Sequence, residues 1–160
     1  MENKFQIRKA RINDLKDILR LNQDLFKKEY KEYDKSLDLK WTYRKGSRYF
    51  KDRIIKKDGF VEVAEVGGKI IGYLCGGISE GKDFRKKAKY AELENMLIEN
   101  KFRSQGIGAK LVNDFIKWCG ENKVNYVAVT VSVQNKRAVD FYRKLGFKDY
   151  SLTLEMIIKK

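Results

Sequence analysis

The chain has 160 residues, 42% hydrophobic and 12% aromatic, which suits one packed domain over 1–160 and argues against disorder despite 36% charged residues. It contains no histidine, which excludes an imidazole base and counts against a zinc site. The formal net charge of +14 favours anionic partners such as nucleic acid, acidic protein surfaces or a polyphosphate cofactor, although a solvated lysine-rich surface produces the same balance. The longest apolar run, from Ile70 to Ile78, contains three glycines and is too short to cross a bilayer. The start, Met1-Glu2-Asn3-Lys4, has no apolar stretch resembling a signal peptide. Cys75 and Cys119 stand far apart and read as reduced core cysteines of a cytoplasmic protein. With no proline, turns fall to Gly, Asn and Asp.

In chain order, Phe5, Ile7 and Lys9 alternate as a short strand. Asn13 or Asp14 can cap a helix over 13–28, whose stripe is Leu15, Ile18, Leu19, Leu21, Leu25 and Phe26. Residues 29–57 are charged and aromatic, with Tyr30, Tyr33, Trp41, Tyr43, Tyr49 and Phe50, and are expected to hold one or two helices. These aromatics serve either the core or a substrate cleft. Phe60 to Val66 alternates as a strand, Gly67-Gly68 makes a hairpin turn, and Lys69 to Ser79 returns. Residues 80–88 form a polar loop.

The strand from Lys89 to Ile98 changes phase. Ala91 and Leu93 are apolar at odd positions, then Met96 and Ile98 at even ones. A one-residue slip near Asn95 indicates a β-bulge, the alternative being a segment buried on both faces. The turn Arg103-Ser104-Gln105-Gly106-Ile107-Gly108-Ala109 follows, and Ile107, Leu111, Val112, Phe115, Ile116 and Cys119 then recur at helical spacing. A helix start offers unpaired N–H groups and a positive dipole end, and glycines at 106 and 108 remove Cβ atoms that would keep an anion away. The stretch lacks the third glycine of a dinucleotide fingerprint and the Gly-Lys-Ser/Thr of a P-loop, since Ala109-Lys110-Leu111 follow. Gly120 is expected to cap that helix, Tyr126 to Val133 to form a valine-rich strand, and Asn135 to open a short helix ended by Gly146. Residues 147–158 are expected to close the sheet as one or two strands.

Arg103, Gly106 and Gly108 match the pattern Arg/Gln-x-x-Gly-x-Gly/Ala, and about thirty residues later comes Asn135-x-x-Ala138-x-x-Phe141-Tyr142-x-x-x-Gly146-Phe147. Together with the element order, these two spaced motifs resemble the GNAT N-acetyltransferase superfamily over nearly the whole chain, most strongly between residues 92 and 147. The resemblance implies an α/β fold with a mostly antiparallel sheet, splayed between strands 4 and 5 and flanked by helices on both faces. It implies acetyl-CoA as co-substrate, with pantetheine in the splay and no metal.

On that resemblance, backbone N–H groups of Arg103, Ser104, Gln105, Gly106, Ile107, Gly108 and Ala109 would hold the pyrophosphate. Those around Met96, Leu97 and Ile98 would face the thioester and pantetheine. Asn135 would contact the pantetheine arm or only cap its helix. Tyr142 stands where such enzymes place a tyrosine near the CoA sulfur, or is a core residue; a phenol near pKa 10 protonating a thiolate near 8.5 works uphill by about 2 kcal/mol. Glu94, entering the bulge, is the first candidate for a base acting through water, with Glu92 the alternate. The expected activity is transfer of acetyl to a primary amine: a protein N-terminus, a lysine, a polyamine or a small molecule. The competing readings are a CoA-binding protein without catalysis and a basic nucleic-acid-binding module, the latter lacking any nucleic-acid signature. No membrane partner is expected, and a homodimer is allowed for.

Overall fold

Gly67 and Gly68 take left-handed φ angles of 55° and 78°, which a two-residue hairpin turn requires and glycine adopts without a Cβ clash. They fold β2 (Gly59–Val66) onto β3 (Lys69–Ser79) as expected. In the computed structural model, which describes residues 5–81 and 85–158, this hairpin lies within a five-stranded sheet. The order is β1 (Gln6–Lys9), β2, β3, β4 (Tyr90–Ile98) and β5 (Tyr126–Val129). All neighbours are antiparallel except β4 and β5, which run parallel.

Alternation along β2 sends Val61 and Val63 to one face and Phe60 and Glu62 to the other. On the first face, α1 (Leu15–Glu32) and α2 (Ser47–Ile55) contribute Ile18, Leu21 and Phe50 to a cluster with Val61, Val63, Tyr73, Cys75 and Leu97. Ile18 and Leu21 are wholly buried, and each contributes about 1.5–3 kcal/mol to seating α1. On the second face, α3 (Ile107–Glu121) sets Phe115 and Trp118 against Phe60, with ring centroids 5.3 and 5.4 Å apart. Gly76 permits that approach, since a Cβ there would lie 2.9 Å from the Phe115 ring. Cys75 and Cys119 are unbridged and buried. No helix among the described residues is long and apolar enough to cross a membrane.

The chain forms two compact units, Met1–Thr130 and Val131–Lys160. In the second, the Asn135 side chain accepts the Ala138 N–H at 3.1 Å and caps α4 (Lys136–Lys144). Gly146, at φ 96°, ends it.

Several local expectations are corrected. The first helix is preceded by a 3-10 turn, Ile12–Asp14, and runs on to Glu32. Asp14 does not cap α1 with its side chain; it accepts the Arg11 N–H at 2.7 Å and pairs with Arg8, which also bonds Glu65. Gly120 lies inside the last turn of α3, and Lys123, at φ 57°, takes the left-handed position instead. β5 stops at Val129 rather than Val133, because its parallel ladder with β4 ends there. Residues 147–158 form no strand. Tyr150, Leu152, Leu154, Met156 and Ile158 alternate as a strand would, but all are exposed and no described strand pairs with them. Of the polar loop expected over 80–88, residues 82–84 lie outside the described residues, as do Met1–Lys4.

Glu62 is an anomaly on the α3 face. It is only 9% exposed, and one carboxyl oxygen is buried without a partner. Burial foremost, then Asp114, pushes its carboxyl from 4.5 up to about 7, while Lys110 and Lys9 pull it down. Between those values the folded chain keeps a proton that the unfolded chain has released. The Glu62 contribution is therefore most favourable below the unfolded value and is lost as pH rises to about 7, by on the order of 3 kcal/mol. Glu62→Gln removes this titration. Its stability advantage over the natural chain in urea unfolding should widen across that window; a gap that stays constant with pH would exclude the assignment.

Candidate active site

β4 carries the expected bulge. Cys75 pairs with Asn95, but the next residue of β3, Gly76, pairs with Leu93, so Glu94 is the extra residue. The parallel ladder with β5 runs from Tyr90↔Tyr126 to Leu93↔Val129 and stops there. The ladder with β3 continues to Gly72↔Ile98. The sheet therefore opens between β4 and β5 at the bulge, and Met96, Leu97 and Ile98 present an edge that β5 does not cover. A bulge bends its strand and interrupts alternation, and here it turns two consecutive side chains to one face. Tyr49 Oη donates to Glu94 Oε2, and Asn95 Nδ2 donates to Tyr49 Oη at 3.2 Å.

Arg53, one turn after Tyr49, completes the cluster. Its Nε donates to Glu94 Oε2 at 3.0 Å and its Nη2 to Oε1. Both oxygens of Glu94 are thus held in a bidentate pair whose side chains are 21% and 17% exposed. Cys75 Sγ lies 3.5 Å from Tyr49 Oη and 3.9 Å from Glu94 Oε2. Burial pushes the Tyr49 phenol and the Cys75 thiol well above their ordinary ranges, so both keep their protons. Glu92 stands two residues before Glu94. Its partner in register is Gly77, where a Cβ would lie 2.7 Å from an Arg53 guanidinium nitrogen. Glu92 is half-buried, and its carboxylate makes no hydrogen bond or ion pair among the described residues. Burial first, then Glu94, raises its carboxyl above 4.5, while Arg53 lowers it.

The open edge of β4 leads directly into the glycine turn. Arg103 Nε donates to Ile98 O at 2.8 Å and fastens the turn to the strand end. Ser104 and Gly106 both have left-handed φ, 61° and 81°. Such reversals let successive N–H groups converge into an anion-binding concavity. Gly106 is the N-cap of α3, no side chain caps that end, and its first turn holds no acidic residue. The first helical bond runs from Lys110 N to Gly106 O. The N–H groups of Ile107, Gly108 and Ala109 precede it, without intrahelical partners. A Cβ at Gly106 would meet no protein atom within 4 Å, so the glycine faces open space.

In the second unit, Asn135 caps α4 as expected. Tyr142 is 9% exposed and lies between the rings of Phe141 and Phe147, with centroids 5.1 and 5.5 Å away. Burial lifts its phenol above the ordinary range, so it is protonated at any working pH.

Glu94, residues 96–98 and residues 103–109 therefore form one continuous path in the first unit, and Asn135 and Tyr142 stand together on α4. Sequence reasoning missed Arg53 and the Asn95 amide. The only forewarning was Tyr49, already among the aromatics assigned to core or cleft, with Arg53 four residues on.

The sequence model of the Acetyltransferase (GNAT) family matches residues 15–147. An uncharacterized N-acetyltransferase of Methanocaldococcus jannaschii is 33% identical over 150 residues, covering 91% of this chain; the chain spans 61% of that protein's length. An N-alpha-acetyltransferase of Sulfurisphaera tokodaii is 26% identical over 150 residues, 91% of this chain and 81% of its own. An aminoglycoside N-acetyltransferase solved with CoA superposes with a TM-score of 0.78 at 14% identity, over 100% of this chain and 98% of its own, which establishes a shared fold. The chain belongs to the GNAT acetyltransferase family.

Proposed function

We propose that this chain transfers the acetyl group of acetyl-CoA directly to a primary amine, as a single domain over both units, which the family match spans. The observation that carries the reading is the opening of the sheet at Glu94, whose free β4 edge runs into the uncapped start of α3. Those two features fit the two ends of one ligand. The N–H groups of residues 104–109 hold the pyrophosphate, since that of Arg103 is donated to Asn100 O at 3.2 Å. The edge of Met96, Leu97 and Ile98 pairs with the pantetheine amides and leaves the thioester at the bulge.

Of the two carboxylates, Glu92 takes the amine proton and Glu94 positions α2. Glu94 Oε1 and Oε2 are engaged by Arg53 and Tyr49, whereas Glu92 has no competing partner and an affinity for protons raised by burial. The amine nitrogen bonds to the acetyl carbon, the C–S bond breaks, one amine proton passes to Glu92 through water, and the departing thiolate takes up a proton. Asn135 caps α4 and so fixes the helix that carries Tyr142. Acceptors of this class include a protein N-terminus, a lysine side chain, a polyamine and a small amine, and the N-alpha-acetyltransferase relative supports the first. An acetyl-CoA turnover screen across these classes, reading free thiol, tests the function; CoA binding without thiol release for any amine would replace it with a non-catalytic role.

Tyr142→Phe keeps the ring between Phe141 and Phe147 and removes only the hydroxyl. The proton-donor role that the family resemblance implies for Tyr142 predicts a fall in kcat of roughly 10²-fold with little change in CoA affinity. Equal turnover in both proteins would return Tyr142 to a packing role.

A further inference from the structure

We propose that the side-chain amide oxygen of Asn95 receives an N–H of the acceptor amine and aims the amine's lone pair at the acetyl carbon, a reading that rests on the acetyl transfer proposed above. The amide's orientation follows from its neighbours. Tyr49 spends its only hydrogen on the Glu94 carboxylate, so toward Asn95 its oxygen can only accept. Nδ2 must therefore face Tyr49, and Oδ1 points away from it. That oxygen is buried and has no hydrogen-bond partner. A buried carbonyl left unpaired is costly, and such groups concentrate where a ligand supplies the missing bond.

Its location fits an amine better than the cofactor. Asn95 follows the extra residue of the bulge, at the point where β4 and β5 part. Its side chain lies on the face of Tyr49 and Arg53, in α2, whereas the anion cradle opens α3, which packs on the opposite face. The thiol departs toward the cradle side, so the nucleophile approaches from the side of Asn95. Glu92 shares that face, and an amine seated there has one N–H for Asn95 and one for the base. The amide is also the right chemistry. A second free carboxylate would favour the unreactive ammonium, while a neutral amide oxygen accepts from the free amine as well. Primary amines satisfy both contacts; an N-methylated amine gives up one.

The test uses Asn95→Leu and, as a gentler truncation, Asn95→Ala, each checked for an unchanged thermal unfolding profile. The best amine from the screen and its N-methyl analogue are the probes. Expected is a loss of roughly 10–100-fold in kcat/KM for the primary amine, the range for one lost hydrogen bond to a substrate. CoA affinity should stay within about twofold. The natural protein's preference for the primary over the N-methyl amine should shrink in the variants. Unchanged amine kinetics in either folded variant would overturn the proposal, and so would a proportional loss of CoA affinity, which would place Asn95 on the thioester instead. If the natural protein acetylates no amine, the failure appears before any variant is made, and it belongs to the function on which this assignment stands.

Discussion

Gly106→Val should lower CoA affinity by more than about 100-fold while the protein still folds. Three observations set the size of the effect. Gly106 sits at φ 81°, where a β-branched residue is strongly disfavoured. It is the N-cap of α3 and is followed by N–H groups with no capping side chain, so it controls where those donors point. The space beside its Cα is open to the ligand rather than filled by protein. Valine therefore acts twice, by pushing the turn out of its left-handed conformation and by occupying the anion's approach. Backbone donors at a helix start act together, so misdirecting them loses several charge-assisted bonds at once. The strain itself costs about 1–3 kcal/mol, which an exposed turn absorbs by local rearrangement. Calorimetric titration with CoA measures the loss. Unchanged affinity in a folded Gly106→Val protein would remove the cradle from this turn.

Glu92→Gln and Glu94→Gln should separate cleanly, and the pair is more informative than either alone. If Glu92 takes the proton, Glu92→Gln lowers kcat/KM about 10–10³-fold near neutral pH. The deficit shrinks as rising pH deprotonates the amine in solution, and folding stability hardly changes. Glu94→Gln acts through structure. It strips the charge from a bidentate pair with Arg53, leaving a guanidinium that is largely buried. Removal of one partner from such a pair destabilises by about 2–4 kcal/mol after allowance for its partial exposure. Its activity loss should follow displacement of Tyr49 and Arg53 and run parallel to the natural pH–rate profile. A converging alkaline profile for Glu94→Gln, with a parallel one for Glu92→Gln, would reverse the two roles.

The sheet-opening bulge was legible because burial forces a period of two on β4. The slip from Ala91 and Leu93 to Met96 and Ile98 is the trace an inserted residue leaves in the apolar pattern. The glycine turn was legible for a similar local reason, since Gly106 occupies a backbone conformation that few other residues tolerate. The Arg53–Glu94 pair was not. It joins residues 41 apart, and an arginine on an amphipathic helix carries no mark of its partner. The far end of the valine-rich strand misled for the opposite reason. Residues 126–133 alternate throughout, yet pairing stops at Val129 because the partner strand departs. Propensity in a strand is set by the neighbour as much as by the segment itself. The alternating segment from Tyr150 to Ile158 has the same pattern, and no described strand pairs with it.

A π-helical turn, Thr42–Gly46, runs directly into α2. Such a turn holds one residue more than an α-turn, and each residue of an α-helix rotates the chain about 100°. The wide turn absorbs that residue locally, so the α-turns after it keep Tyr49 and Arg53 on the face where they meet Glu94. Glu94 is itself an extra residue in its strand. Two insertions in different elements thus meet at a single contact, but they differ in what their loss would do. Deleting a residue at the π-turn restores an ordinary helical turn and leaves Tyr49 and Arg53 in phase, whereas deleting one at the bulge sends every later side chain of β4 to the opposite face.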